Sequence, residues 1–357
     1  MNMLQKRSIF LLLLLVQWAV NAQKKELPES ITGFNALNRE FRQPSKEYGT
    51  APLWVWNTKV THEIIDRSLS DLKSKGFGGV FVHPRPGMIT EYLSDEWFEL
   101  YRHTVDKAKE LDMNVWIYDE NSYPSGFAGG HVPALMPESY NQGQGLKLTK
   151  AEHLPDDLTG YFICMKEKDG KFVDITANAK DEAGENGNYY LFAKTYYGKS
   201  EWYGGYSYVD VIYPGVTQKF LEVTMTGYEK ALGDEFGKAV LGCFTDEPNI
   251  ETPGGIRWTP DLFEVFRQRW GYDLKAVLPV LYEEVGEWKT VRHNYFQTLL
   301  QLFVDRWAKP YSDYCKAHNL LFTGHYWEHG WPDMQHGPDN MAMYAWHQQP
   351  AIDMLFN

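Results

Sequence analysis

Carboxylate side chains stand where several apolar runs of this sequence end. Glu247 and Glu328 each end such a run, and the adjacent Asp119 and Glu120 end another. Hydrolysis of a glycosidic bond needs two carboxyl groups that flank the bond, one protonated to donate to the leaving oxygen and one ionised to activate water or to attack. Glu247 and Glu328 are therefore the candidate catalytic pair, and Asp119 and Glu120 are candidate contacts to a substrate or a metal.

Aromatic, histidine and amide side chains accompany these acids. Flat aromatic rings suit the apolar C–H faces of sugars, whereas imidazole, amide and carboxylate groups suit their hydroxyls. Packing competes with this interpretation, because the two-residue period of a strand turns about half of its side chains into the core. The candidate substrate-binding residues are Trp54, Trp56, Asn57, His83, Asp119, Glu120, Asn121, Asp246, His325, Tyr326 and Trp327.

A glycine-rich segment, YPSGFAGG at 123–130, follows the third apolar run. It lacks the G-x-S-x-G pattern of a nucleophilic serine, and Ser125 has no evident base partner. Its glycines permit close approach of the backbone to a ligand. The segment is either a loop that shapes the substrate site or an ordinary connection between a strand and a helix.

A metal-dependent hydrolase that uses His83, His325 and the acids is an alternative, and the sequence alone leaves any metal ligands unknown. The three cysteines, Cys164, Cys243 and Cys315, are odd in number and widely spaced. They therefore predict neither a disulfide framework nor a cysteine metal site. Nothing in the sequence requires a cofactor.

The elements that must position these residues alternate between strand and helix patterns. Three strands and two helices within about 70 residues favour parallel βαβ units, whose strands carry functional residues at their carboxyl ends. The predicted fold class is α/β, a TIM-barrel-type (β/α)8 domain that is incomplete in this chain, with an inserted small β domain. An open, doubly wound sheet would share the pattern. The predicted strands are 52–57, 79–84, 114–120, 239–245, 320–328 and 351–356.

The predicted organisation begins with a secretory signal peptide at 1–22, which has a basic start, a short apolar run and small residues before the cut. It predicts an exported protein, cleaved near Ala22, with no transmembrane segment. The other predicted regions are a leader at 23–50, the first part of the barrel at 51–142, an inserted β-rich subdomain at 143–213 and a continuation of the barrel at 214–357.

Composition limits the classes of partner. The chain has 357 residues, with 35 Lys and Arg against 47 Asp and Glu, a formal net charge of −12. Such an acidic chain is poorly suited to nucleic acid, whose phosphate backbone requires clustered cations. Aromatic residues make up 15% of the chain, which suits a carbohydrate partner as well as a large core.

Several short segments form a joint pattern that is more specific than any one of them. They are PLWVWN (52–57), GGVF (78–81), YDEN (118–121), SGFAGG (125–130), DE (246–247), WTP (258–260), RWGYD (269–273) and LP (278–279). On these segments the chain resembles the N-terminal part of the catalytic barrel of large secreted bacterial glycosidases, the α-L-rhamnosidases of glycoside hydrolase family 106 and their relatives.

The resemblance implies a (β/α)8 barrel, an exo-acting glycosidase that works with inversion, and a calcium ion near the sugar. It also implies a glutamate general acid, matched by Glu247, and a glutamate general base, for which Glu328 is the candidate. The predicted function is cleavage of a terminal deoxy-sugar, such as α-L-rhamnose, from complex glycans. A non-catalytic carbohydrate-binding protein, or an inactive truncated remnant of such an enzyme, is the alternative.

Overall fold

The computed structural model describes residues 31–182, 184–328 and 336–354. The predicted signal peptide therefore lies outside the described residues. Contacts divide the chain into two units, 1–49 and 50–357. In the first unit, the described part of the predicted leader forms a helix at Phe34–Arg42 and a 3-10 turn at Lys46–Tyr48. Of the helices described in the two units, none combines the length and apolar composition that crossing a bilayer requires.

The described strands belong to the second unit and form two sheets. In chain order they are β1 (Leu53–Trp56), β2 (Gly79–Pro84), β3 (Asn114–Tyr118), β4 (Gly145–Ala151), β5 (Ile163–Lys168), β6 (Lys171–Asp174), β7 (Tyr189–Thr195), β8 (Val240–Asp246), β9 (Ile256–Arg257), β10 (Leu321–His325) and β11 (Gln349–Pro350). Six of them form a parallel sheet in the order β1-β2-β3-β8-β10-β11, and the other five form an antiparallel sheet in the order β6-β5-β7-β4-β9. The fold is therefore mixed α/β, and closure of the parallel sheet into a (β/α)8 barrel stays a prediction.

Helices connect the parallel strands. The α-helices of the second unit are His62–Ser74, Asp95–Glu110, His131–Leu135, Glu138–Asn141, Val216–Leu232, Leu262–Trp270, Trp288–Phe303, Lys309–Ala317 and Asn340–Tyr344. Side chains cap two of these helices, since the Thr61 hydroxyl accepts from the Ile64 N–H at 3.3 Å and the Ser94 hydroxyl accepts from the Trp97 N–H at 3.2 Å. A π-helical turn at Val304–Ala308 lies between the helices Trp288–Phe303 and Lys309–Ala317.

One face of the parallel sheet packs against these helices. Trp56 of β1 lies edge-on to Trp97 with ring centroids 5.3 Å apart, and Phe322 of β10 stacks on Tyr311 at 4.3 Å. Side chains alternate along a strand, so the neighbouring residues of β1 point to the opposite face. There Leu53 is 45% exposed. The helices therefore bury one face of β1, and its other face remains open among the described residues.

The sixth predicted strand, 351–356, is described only to residue 354, and its last two residues lie outside the described residues. Strand β11 pairs with β10 at Gln349 and Pro350, and residues 351–354 have no strand structure, although they were predicted to form one. Pro350 has no N–H with which to extend a ladder. The Asp353 N–H instead donates to the Glu328 carboxylate at 2.8 Å. The Ala351 N–H still donates to the Gly324 carbonyl at 3.1 Å, so backbone pairing with β10 ends at residue 351.

The antiparallel sheet differs from the predicted β region in two respects. Its fifth strand, β9, comes from residues 256–257, so the sheet draws on a segment beyond 143–213. The β-like segment 207–212 is not a strand but buried irregular chain. Its Asp210 forms a buried ion pair with Arg257 and accepts from the Ile212 N–H at 3.0 Å, which bends the backbone away from an extended path.

Candidate functional site

Four ionisable side chains meet at the carboxyl ends of two neighbouring strands. Asp246 and Glu247 stand at the end of β8, His325 ends β10, and Glu328 follows three residues later. The His325 Nε2 atom lies 2.9 Å from Asp246 Oδ1, and its Nδ1 atom lies 3.1 Å from Glu328 Oε2. Oxygens of Asp246 and Glu247 and a nitrogen of His325 all lie within 4.8 Å of one another. The two predicted catalytic glutamates therefore share one neighbour, His325.

A glycine in β10 allows this meeting. Gly324 has a φ of 118°, and a Cβ there would lie 2.0 Å from the carbonyl oxygen of Thr245 in β8. Any other residue would push the two strands apart. The close approach places His325 opposite Asp246 in the register of the sheet.

His325 is held as an imidazolium between two carboxylates. Burial lowers the pKa of His325, but the hydrogen bonds to Asp246 and Glu328 outweigh burial and raise it to about 10. Burial would also raise the pKa of Glu328, yet His325 and the Asp353 N–H lower it below its ordinary value. Glu328 is therefore kept ionised, which is the state that a general base requires.

Glu247 has the opposite environment. It is 6% exposed, and its carboxyl group makes no hydrogen bond or ion pair with the described residues. Burial, followed by the nearby Asp246 carboxylate, raises the pKa of Glu247 to about 7. A carboxyl group with such a pKa carries a proton near neutral pH and can donate it.

The backbone at Glu247 is also unusual. Its φ is 48°, in the left-handed region that residues other than glycine rarely adopt. The Glu247 N–H donates to the His325 carbonyl at 3.1 Å, and its own carbonyl accepts from the Asn249 side chain at 3.0 Å. These bonds hold a conformation that costs about 1–3 kcal/mol, and such residues are concentrated at functional sites.

Asp246 is fixed from the side of β3. Its N–H donates to the Ser125 hydroxyl at 2.8 Å, and the Ser125 N–H donates to the Asp246 carbonyl at 2.7 Å. The Tyr118 hydroxyl lies against the Asp246 carboxylate in a short hydrogen bond. The segment 123–130 therefore supports the site through Ser125, which is fully buried and is not exposed to a ligand.

Asp119 and Glu120 are internal structural groups. Both are fully buried. Asp119 accepts from the Ser125 hydroxyl at 2.6 Å and from the Tyr311 hydroxyl at 2.9 Å. Although both were predicted to contact a ligand, the structure places both carboxylates inside the protein, with their oxygens bonded to protein donors.

Glu120 organises the glycine-rich segment. Its two oxygens accept five backbone N–H groups, those of Asn121, Gly126, Phe127, Ala128 and Gly129, at 2.6–3.1 Å. Burial, and then the neighbouring Asp119, raise the pKa of Glu120, and the N–H groups of Asn121, Ala128 and Gly129 oppose this rise because they favour the ionised form. The carboxylate therefore acts as the centre around which this loop folds.

His83 lies at the end of β2 with its ring against Tyr118, at a centroid distance of 3.8 Å. It is 1% exposed, and neither ring nitrogen has a hydrogen-bond partner among the described residues. Burial, and then the Arg85 cation, lower the pKa of His83 to about 4. The neutral ring therefore keeps one donor and one acceptor available beside the acids.

Two predicted substrate contacts are core residues. Trp56 is 1% exposed and packs on Trp97 and Tyr101. Tyr326 is fully buried and packs edge-on against Phe303 at 5.7 Å. The structure does not bring either ring to the four ionisable groups.

The remaining predicted contacts have more open positions. Trp54 is half-buried and lies edge-on to Trp56 at 5.5 Å, and Asn57 is exposed at the end of β1. Trp327 is half-buried and stacks on His336 at 5.0 Å. Asn121 lines a pocket beside the glycine-rich segment.

Two residues near the site, Arg85 and Trp202, were not among the predicted ones. Arg85 follows β2 and lies 4.7 Å from the centre of the Tyr123 ring. Trp202 comes from the β-rich region and contacts the same Tyr123 ring at 5.3 Å. No pattern in the sequence connects that region with the site.

The group of Asp246, Glu247 and His325 is compact enough to hold a metal ion. However, both nitrogens of His325 already face carboxylates, so the imidazolium has no lone pair to offer. Calcium, in addition, prefers a shell of oxygen ligands. These residues do not fit the calcium ion that the sequence resemblance implies, and they form an ion-paired acid cluster instead.

Comparisons with known proteins show a protein of similar fold, but they do not show a family. No protein-family model matches the chain, and no curated protein matches its sequence. A solved structure of a rhamnosidase from Novosphingobium sp. PP1Y matches with a TM-score of 0.62 and 15% identity over 87% of this chain. The match covers 49% of that rhamnosidase, so the chain spans about half of its length. An inactive double mutant of MUTB aligns with a TM-score of 0.31, which carries no argument.

Proposed function

We propose that this protein is an exported glycoside hydrolase that removes a terminal deoxy-sugar, such as α-L-rhamnose, from complex glycans. The observation that carries the proposal is the pairing of two unlike glutamates around His325, one protonated near neutral pH and one ionised. The likeness in fold to a rhamnosidase supports the same class of reaction. We extend the proposal to the fold, in which the parallel sheet belongs to a (β/α)8 barrel.

Glu247 is the general acid in this mechanism. Its proton passes to the glycosidic oxygen as the bond from that oxygen to the sugar carbon breaks, so the leaving group departs as a neutral alcohol. The raised pKa of Glu247, about 7, keeps the proton in place until the substrate arrives. Because its carboxyl group has no described partner, a substrate oxygen can take that position.

Glu328 is the general base. It takes a proton from a water molecule that attacks the sugar carbon from the opposite face, which gives inversion. The imidazolium of His325 keeps Glu328 ionised and positions it, and the Asp353 N–H orients its second oxygen. His83 packs against Tyr118, whose hydroxyl holds the Asp246 carboxylate in place, so both residues position the acids from inside the protein.

Replacing Glu247 with Gln tests the acid role directly. We expect the turnover of an α-L-rhamnoside with a poor alcohol leaving group to fall by about 10²–10⁴-fold, because an amide cannot supply the proton. Glu251→Gln, four residues further along, is the control, since Glu251 pairs with His336 and lies outside the cluster. Near-normal turnover in Glu247→Gln would contradict the mechanism. Rhamnose binding with no turnover by the native protein would favour the carbohydrate-binding alternative.

Two further measurements address the remaining parts of the proposal. Proton NMR of the first-formed sugar anomer should show inversion, and a retained anomer would contradict the role of Glu328 as a base. Sequencing the N-terminus of protein recovered outside the cytoplasm should give a start at Gln23, as the pattern of residues 1–22 predicts.

A further inference from the structure

A pocket of about 330 Å³ lies among the segments that follow β2 and β3. Three stretches of chain build it, namely the connection after β2, the segment after β3 and the 3-10 turn at Glu201–Tyr203. The last of these comes from the β-rich region of the sequence. The pocket therefore joins that region to the end of the parallel sheet.

The pocket has an aromatic wall with fixed geometry. Trp202, which is 37% exposed, donates its indole N–H to the Tyr123 carbonyl and lies edge-on to the Tyr123 ring at 5.3 Å. The Arg85 guanidinium covers the same ring at 4.7 Å. An exposed indole face held by its own hydrogen bond can stack on the C–H face of a sugar without first becoming ordered.

Close backbone contacts hold the walls together. Gly204 has a φ of 64°, and a Cβ there would lie 2.6 Å from the Gly129 carbonyl oxygen. On the other side, a Cβ at Gly87 would lie 2.7 Å from the carbonyl oxygen of Asn57. Only glycine fits these positions, so the pocket is built by backbone packing and does not depend on mobile side chains.

The charges that line the pocket favour a neutral ligand. Arg85 forms no ion pair with the described residues, and Glu91 and Glu201 line the same pocket without an ion-pair partner there. Two carboxylates against one guanidinium would repel an anionic group. A hydroxyl group can both donate and accept, so a polyol ring satisfies the guanidinium and the carboxylates together.

The pocket also adjoins the acid cluster. Ser122 lines the pocket, and its carbonyl accepts from the Tyr118 hydroxyl at 2.7 Å, the same hydroxyl that contacts the Asp246 carboxylate. We infer that the pocket is a subsite for a neutral sugar on the leaving-group side of the cleaved bond, with Trp202 as its platform. The inference rests on the proposed function and makes the substrate an oligosaccharide.

Binding tests the subsite without requiring catalysis. Methyl glucoside and methyl glucuronide would be titrated by saturation-transfer NMR into the full-length chain, Trp202→Ala, Arg85→Gln and the control Trp288→Ala, whose indole lies on another helix beneath Arg292. We expect the native protein to bind the glucoside more tightly, and Trp202→Ala to weaken this binding about tenfold. Tighter binding of the glucuronide, or equal loss in Trp288→Ala, would overturn the inference. Arg85→Gln, which lacks the positive charge, should also weaken binding of the glucoside. Unchanged affinity for the glucoside in both Trp202→Ala and Arg85→Gln would also overturn the inference.

Kinetics then connects the subsite with the reaction. Trp202→Ala should raise the KM for a rhamnose-terminated oligosaccharide and leave that for rhamnosyl fluoride unchanged, because fluoride, as a leaving group of one atom, does not fill the subsite. An equal change for both substrates would overturn the leaving-group assignment. If the native chain hydrolyses neither compound, the proposed function fails, and the NMR titration still decides whether the pocket binds a neutral sugar.

Discussion

At the scale of single residues, the proposed division between acid and base rests on the different surroundings of two otherwise identical side chains. Glu247 is buried without a described partner and next to Asp246, so its proton is retained. Glu328 faces the His325 imidazolium and a backbone N–H, so its proton is lost. Separating the pKa values of two glutamates in this way gives each a distinct role in one reaction.

The first prediction at this scale concerns pH. The general acid must be protonated, so kcat/KM should fall as the pH rises through about 7, the pKa of Glu247. Glu328 must be ionised, and its lowered pKa puts the acidic limb below the ordinary range of a glutamate. A pH profile of hydrolysis measures both limbs. In Glu247→Gln the limb near 7 should disappear, and its persistence would assign it to another group.

The second prediction concerns His325 and stability. The pKa of His325 is raised from 6.5 to about 10 on folding, so its contribution is fully present below pH 6.5 and is lost as the pH rises through 10. His325→Gln should therefore cost about 3 kcal/mol at pH 6, because it leaves two carboxylates without a cation, and less at pH 10. Urea unfolding of both proteins at the two pH values measures the difference. A cost that does not depend on pH would mean that the ring is neutral in the folded protein.

At the scale of elements, the loop after β3 is organised around one carboxylate. Glu120 accepts five amides of residues 121–129, and this arrangement holds Ser125 against Asp246. The loop thus supports the end of β8 from inside. The site depends on Glu120 even though no ligand reaches it.

Glu120→Gln tests this dependence. The amide group of Gln would turn a donor toward backbone donors, so we expect a loss of about 3 kcal/mol in stability and faster hydrogen exchange at residues 126–129. Glu110→Gln, at the exposed end of its helix, is the control and should stay within about 0.5 kcal/mol of the native protein. Unchanged exchange at 126–129 would show that the loop holds its shape by other contacts.

The sequence predicted the elements of the parallel sheet better than it predicted their partners. Long apolar runs predict β1, β2, β3, β8 and β10, because a buried strand leaves an apolar pattern within a few consecutive residues. Glu247 and Glu120 both follow the end of a strand. Glu247 faces the acid cluster, whereas Glu120 faces the protein interior. That difference depends on which backbone N–H groups of the following loop reach the carboxylate. No local pattern in the sequence shows this.

Long-range pairing explains the other differences. Segment 207–212 has a strand-like composition, but Asp210 binds Arg257, which lies 47 residues further along the chain. Strand β9 has only two residues, too few for a periodic pattern. Both features become visible only when distant parts of the chain are brought together.

At the scale of the whole molecule, the edge strand of the parallel sheet is unevenly covered. Among the described residues β1 pairs only with β2, and its Leu53 and Val55 are 45% and 43% exposed. Apolar side chains on a strand with an unpaired edge promote association with other chains.

We therefore expect this chain to aggregate through β1 when it is concentrated or heated. A double variant with Leu53→Lys and Val55→Lys should scatter less light on heating, while its unfolding free energy changes by no more than about 1 kcal/mol. Met341→Lys is the control, since Met341 is 76% exposed but lies on a helix. Equal improvement in the control would attribute the effect to net charge and not to the strand.

The left-handed backbone at position 247 has a consequence for engineering. A glycine there would adopt the same φ without penalty, so selection for heat resistance alone should favour losing this glutamate. Under the proposed mechanism, the residue that best fits the backbone at position 247 and the residue that donates the proton are therefore different. A library screened only for survival at high temperature would tend to return folded proteins that no longer act on their substrate.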